Sequence, residues 1–209
     1  MIPPIEALQR LREGNLRFVD DLRNDQAPMD RARRRQLAVG QEPFALVLGC
    51  SDSRVPAEFV FDQGLGDLFV IRIAGNIVAP SQIGSVEFAV ERFGTRLVVV
   101  LGHSRCGAVI ATLEGILTPS VHQGRHMSSI VQRIRPAVEP LLATELRHHP
   151  ERLLHQAVRA NVRIAANQLR RGSEFLEGLI ERGDLLVVGA EYSLDSGVVD
   201  FFDGAPDSD

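Results

Sequence analysis

From residue 44 onward the chain alternates between short apolar runs and longer stretches of helical period. The runs F-A-L-V-L-G (44–49), L-F-V-I-R-I (68–73), R-L-V-V-V-L-G (96–102) and D-L-L-V-V-G-A (184–190) are nearly free of polar side chains. That is the pattern of strands covered on both faces in a parallel sheet. Between them, apolar residues return every three or four positions over about 82–93, 107–115 and, in pieces, 127–182, as crossover helices require. A fifth run, Gly197–Phe202, follows the turn-like segment S-L-D-S-G, so it should fold back as an antiparallel edge strand. The expected fold is α/β: a central, mostly parallel β-sheet of four parallel strands plus an antiparallel edge strand, flanked by helices.

Ahead of the first strand, P-P-I-E-A-L-Q-R-L places Ile5, Leu8 and Leu11 at helical spacing behind prolines suited to a helix start. Arg31–Leu37 reads as a second, strongly basic helix, whose R-A-R-R-R run suits a solvated face or a contact with a partner chain. The chain is expected to be a single domain, 1–209, a length that one core can serve. Within it, residues 1–40 are expected to form an N-terminal helical arm, 44–203 the α/β core and 204–209 an acidic tail.

Composition narrows the partners. With 44% hydrophobic and 24% charged residues, a net charge of -4 and a pI near 5.9, the chain has no basic surplus to draw it to nucleic acid or an anionic membrane. No stretch reaches the roughly 18 apolar residues of a membrane span, and the N-terminus lacks the charged-then-apolar order of a signal peptide. A cytoplasmic protein is expected. Its two cysteines, Cys50 and Cys106, then point to metal or catalytic use rather than to a disulfide.

Two of the apolar runs end alike, V-L-G-Cys50 and V-L-G-His103, the second continuing S-R-Cys106. Parallel strands bring their carboxyl ends to one sheet edge, where open α/β sheets bind ligands, so the three side chains can converge. Two thiolates and an imidazole suit zinc and leave a fourth position for water. Cys106 falls at the start of a helix, whose N-terminus favours a thiolate. H-x-x-C alone is a weak signal, and either cysteine alone reads as a small buried hydrophobe; their joint occurrence with matching strand ends favours a metal site. Zinc balanced by two thiolates and a neutral histidine is formally neutral and acidifies its water less than an all-histidine site. Asp52 can accept a hydrogen bond from that water, and Arg54 can clamp Asp52 through a bidentate pair.

The segments C-S-D-S-R-V-P-A-E (50–58), F-V-I-R-I-A-G-N (69–76), G-S-V-E-F-A-V (84–90) and G-H-S-R-C-G-A (102–108) together resemble the β-class carbonic anhydrases, over about residues 5–203. The resemblance implies a zinc enzyme, one Zn2+ per chain, that interconverts carbon dioxide and bicarbonate. It implies zinc ligands Cys50, His103 and Cys106, with Asp52 and Arg54 as the catalytic dyad. It further implies a substrate pocket of Gln41 reaching over from a neighbouring subunit, an apolar wall of Phe69, Ala74 and Phe88, and the amide of Gly107. At Ala74 and Phe88 the family often shows valine and tyrosine instead. The N-terminal arm fits the family habit of wrapping a partner chain, hence a homodimer or homotetramer. Some members close by letting the aspartate replace water on zinc, and a subset holds this state with bicarbonate bound by a tryptophan, an arginine and a tyrosine. This chain has no tryptophan; Val47 stands in its place, with Arg72 and Tyr192 matching the other two, so no bicarbonate-stabilised closed state is expected.

Three rival readings keep parts of the same site. One is a zinc hydrolase of this fold acting on carbon disulfide or carbonyl sulfide. Another is a cysteine hydrolase with Cys50 as nucleophile and His103 as base. The third is a non-catalytic bicarbonate or zinc sensor. His122, His126, His148, His149 and His155 lie outside the motifs and read as surface residues.

Overall fold

The computed structural model describes residues 2–22, 31–118, 124 and 126–206; His122 and the end of the acidic tail lie outside them. Five strands form one sheet: β1 (Ala45–Gly49), β2 (Leu68–Arg72), β3 (Leu97–His103), β4 (Leu186–Tyr192) and β5 (Val199–Asp203). Their spatial order is β2-β1-β3-β4-β5, with β1 to β4 parallel and β5 antiparallel to β4. The chain leaves β1 toward β2 on one side and returns to β3 on the other. The ends of β1 and β3 therefore flank a topological switch point, where a crevice opens at the carboxyl edge of such sheets.

Period-two alternation sorts the strand residues onto two faces. Val47, Val99, Leu101 and Val188 pack under α1 (Pro4–Val19) and α3 (Ala57–Val60), in one buried cluster. Leu46, Leu48, Val98, Val100 and Val187 meet α4 (Pro80–Phe93), α7 (Pro150–Arg171) and α8 (Glu174–Glu181) on the other face. Each fully buried Val or Leu contributes about 1.5–3 kcal/mol, so the doubly covered strands β1 and β3 anchor the fold. β2 departs from the sequence expectation. As an edge strand it leaves Phe69, Val70 and Ile71 half-buried and Arg72 exposed; its apolar run looks like an interior strand because composition does not reveal sheet position.

A third cluster closes the carboxyl edge. There α5 (Gly107–Leu117), α6 (Ser128–Val138) and α7 bring Val109, Leu113, Ile134, Val138 and Val158 around Cys50 and Cys106. α2 (Arg31–Leu37) is the basic helix expected, with no buried residue.

The first helix also differs in detail from its pattern. Leu8 and Leu11 are buried but Ile5 is exposed, and the inward stripe continues through Gly14 and Asn15. Gly14 is required by close approach: a Cβ there would sit 1.9 Å from the Phe61 carbonyl oxygen. Asn15 then ties the helix to its own chain, its Nδ2 donating to the carbonyls of Val60 and Gly197 and its Oδ1 accepting from the Val199 amide. Among the described residues no helix is long and apolar enough to cross a membrane.

Candidate metal centre

Cys50 is the first residue after β1, His103 the last of β3, and Cys106 the residue that precedes α5. All three are buried, and their ligand atoms lie within 4.8 Å of one another. The return from His103 to Cys106 needs Arg105 at φ 56, a left-handed conformation that side chains other than glycine seldom adopt. That turn swings Cys106 back toward Cys50 instead of continuing along the strand direction.

The donor chemistry can be read from the hydrogen bonds. His103 Nδ1 lies 2.9 Å from the Ser104 carbonyl oxygen, an acceptor only, so Nδ1 carries the proton and Nε2 presents a lone pair. That Nε2 is buried without a hydrogen-bond partner, a costly vacancy in a protein interior unless a cation fills it. The Cys50 thiol is brought down from 9.0 to about 4, chiefly by the hydrogen bond from Cys106, with the Gly75 amide adding to it against the cost of burial. Cys106 is pushed up by sharing that hydrogen and by burial. The opposite directions describe one proton held between two sulfurs. Two such sulfurs and an unprotonated imidazole nitrogen, facing one point, form a donor set that fits a zinc ion.

Beside the donors, Asp52 is gripped by Arg54. Arg54 Nε donates to Oδ1 at 2.9 Å, Nη2 to Oδ2 at 2.7 Å, and the Arg54 backbone amide to Oδ1 at 3.0 Å. These bonds hold the Asp52 carboxyl far below the usual carboxylate range. Its Oδ2 stands 3.8 Å from His103 Nε2, so an ionised acceptor borders the donor cluster.

Two supporting groups were not apparent as such in the sequence. Arg72 donates through Nε to the Cys50 carbonyl at 3.1 Å and through Nη2 to the Asp52 carbonyl at 2.6 Å, bracing the loop that carries both residues. Gly75 donates its amide to Cys50 Sγ at 3.3 Å, and Asn161 of α7 donates to the Gly75 carbonyl at 2.8 Å. Arg72 had a sequence signal only as a match to an anion-binding position; Asn161 was not singled out, and the one signal that could have found it is a polar residue in an apolar helical stripe. His155, expected at the surface, is exposed and lies 3.3 Å from the buried carboxylate of Glu191, which Arg159 also faces at 3.6 Å. Burial raises the pKa of Glu191.

The proposed pocket residues separate into two groups. Ala74 adjoins Gly75, and Gly107 adjoins Cys106, exposed and with open space where a side chain would stand. Gln41 instead lies four residues before β1, whose length at about 3.3 Å per residue puts the start of the strand roughly 16 Å from Cys50. Phe69 pairs with Leu46 near the start of edge strand β2 and meets Phe88 and Phe93 in tilted contacts, ring centroids 6.3 and 5.9 Å away. Within one chain these aromatic side chains form a patch along the β2 edge rather than a wall beside Cys50.

The comparisons with known proteins agree with this arrangement. The family model for carbonic anhydrase matches residues 45–199. Carbonic anhydrase 2 of Mycobacterium tuberculosis is 39% identical over 199 residues, covering 93% of this chain and 90% of that protein. The carbonic anhydrase of Mycolicibacterium smegmatis is also 39% identical over 199 residues, covering 94% and 92%. Among solved structures, the β-carbonic anhydrase CafA of Aspergillus fumigatus superposes with a TM-score of 0.73 at 29% identity, covering 97% of this chain and 91% of that one. One of two tetrameric β-carbonic anhydrases from Sordaria macrospora gives 0.72 at 26% identity, covering 81% and 85%. With these matches over the sheet that carries Cys50, His103 and Cys106, the chain belongs to the β-carbonic anhydrase family.

Proposed function

We propose that this chain catalyses the zinc-dependent, reversible hydration of carbon dioxide to bicarbonate and a proton. The observation that carries the reading is the buried, unpartnered His103 Nε2 facing two cysteine sulfurs, with ionised Asp52 beside them. Cys50, His103 and Cys106 would hold one zinc ion per chain. When bound, zinc lowers the pKa of the water it holds and so supplies a nucleophile near neutral pH.

The protein's own groups do the rest. Asp52 accepts the hydrogen bond of the attacking water, which fixes where its lone pair points. Arg54 keeps Asp52 ionised and aimed, and Arg72 holds the backbone of the loop that presents it. Carbon dioxide is small and apolar, so orientation matters more than affinity, and Ala74 and the Gly107 amide border the space it would enter.

A second copy of the chain completes the pocket. Gln41, Phe69 and Phe88 lie away from their own Cys50, and Phe88 is 53% exposed, an unusual place for a phenylalanine without a partner surface. We infer a homodimer as the smallest working unit, in which these residues face the neighbour's metal centre, and a tetramer is consistent with the Sordaria structures. Arg72 has two of its donors on the carbonyls of Cys50 and Asp52 and Val47 is buried in the sheet, which supports a site without a bicarbonate-stabilised closed form.

Stopped-flow carbon dioxide hydration by purified protein of measured zinc content is the direct test. Turnover proportional to bound zinc is expected. Zinc-loaded protein that hydrolyses carbon disulfide or carbonyl sulfide but leaves carbon dioxide unchanged would replace this reading with the hydrolase one.

A further inference from the structure

Asn161 occupies the middle of the buried stripe of α7, between Val158 and Val162, and is only 2% exposed. The helical period calls for an apolar side chain there. Its Nδ2 spends a hydrogen on the Gly75 carbonyl at 2.8 Å, and the amide on the other side of the same Cα donates to Cys50 Sγ at 3.3 Å. Gly75 has φ 70, and Ile134 Cδ1 would lie 2.6 Å from any Cβ added to it. Only glycine fits, yet glycine by itself is free to rotate its two flanking peptide groups. Something outside the turn has to fix the direction of the amide that meets the sulfur.

We propose that Asn161 is a positioning residue for the metal centre. By anchoring the Gly75 carbonyl it fixes the Gly75 amide on Cys50, and this hydrogen bond sets how much charge the Cys50 thiolate donates to the metal. The inference rests on the zinc reading given above. A thiolate that accepts an N–H hydrogen bond is a weaker electron donor, so the ion it binds stays more electrophilic, which a formally neutral Cys2His centre needs. An asparagine kept only for packing would show none of this electronic coupling.

Cobalt-substituted protein separates the two roles, because its thiolate-to-metal charge-transfer band reports electron density on sulfur. Asn161→Leu, close in size but without a donor, and Asn161→Ser, smaller but with a hydroxyl that can still donate, are compared with the unaltered chain. Expected are a shift of the band to lower energy, larger in the leucine variant, and a loss of metal affinity of about 10- to 100-fold by chelator competition. The midpoint of the pH–rate profile should move upward in parallel. Unfolding of the metal-free proteins measures the packing cost separately. A lowered Tm with an unmoved band and unchanged affinity would overturn the proposal while leaving the zinc reading intact. An unaltered chain that binds cobalt without any thiolate charge-transfer band would overturn both. Should neither variant fold, through-bond coupling between cadmium and the Gly75 amide proton in the unaltered protein reads the hydrogen bond directly, and its absence would remove the basis for the proposal.

Discussion

Cys50, His103 and Cys106 are at most 5% exposed and all belong to one chain, whereas Gln41 and Phe88 are exposed on a surface of that same chain. The first group is fixed by covalent proximity to two adjacent strand ends. The second lies at the surface, Phe88 resting on Phe69 and Phe93 at its inner side. A buried site can be set by the fold alone, because packing leaves its side chains few alternatives. For the half-exposed wall, the second copy proposed above would supply the covering surface.

The contrast is broken most forcefully at the metal. Cys50→Ser or Cys106→Ser should lose zinc, by more than the roughly 10- to 100-fold in affinity typical of changes to groups behind the ligands, and should bring hydration to background; metal analysis and stopped-flow kinetics on the same samples check both. Asp52→Ala should retain zinc and yet lose about 10²- to 10⁴-fold in kcat, the scale of a positioned proton acceptor. Full activity in that variant would remove Asp52 from the mechanism.

Arg54→Ala is expected to act through pH. In the native chain Asp52 is held far below the ordinary carboxylate range, first by the Arg54 side chain, so it stays ionised through moderate acid. Without Arg54 its pKa returns toward about 4, and the acid limb of the pH–rate profile moves up. The linked stability has the same sign: a depressed folded pKa stabilises above the unfolded value and loses this contribution as pH falls. Because Arg54 is 54% exposed, that stability change should be small.

The smallest effect sharpens the comparison most. Gln41→Ala should cost about tenfold in kcat/KM, the scale of one net hydrogen bond. Mixing that chain with Asp52→Ala chains then distinguishes the two arrangements. If Gln41 serves its neighbour, a mixed dimer contains one site with both residues intact and activity reappears on mixing. If it serves its own chain, no site regains both, and mixing restores nothing.

Much of the fold was legible because burial leaves a periodic trace. The apolar runs located four parallel strands and the antiparallel fifth to within a residue or two, and Arg31–Leu37 emerged as the helix expected. The metal donors were legible for a different reason: matching V-L-G ends put Cys50 and His103 at one sheet edge whatever the strand order. Ile5 was misleading because a helix face only slightly wider than the core leaves its rim in solvent. The roles of Arg72 and Asn161 left little trace, since a single polar residue has no period and its partners are backbone atoms far away in sequence.

Sequence by itself determined which residues could hold a cation and on which edge of a parallel sheet they would meet, because strand period and chain direction are local properties. Tertiary structure alone decided that β1 and β3 flank the point where strand order reverses, and that His103 turns a bare Nε2 inward. It also separated Gln41 and Phe88 from their own Cys50. Those outcomes depend on strand order, tautomer and packing between segments distant in the chain, none of which local pattern encodes.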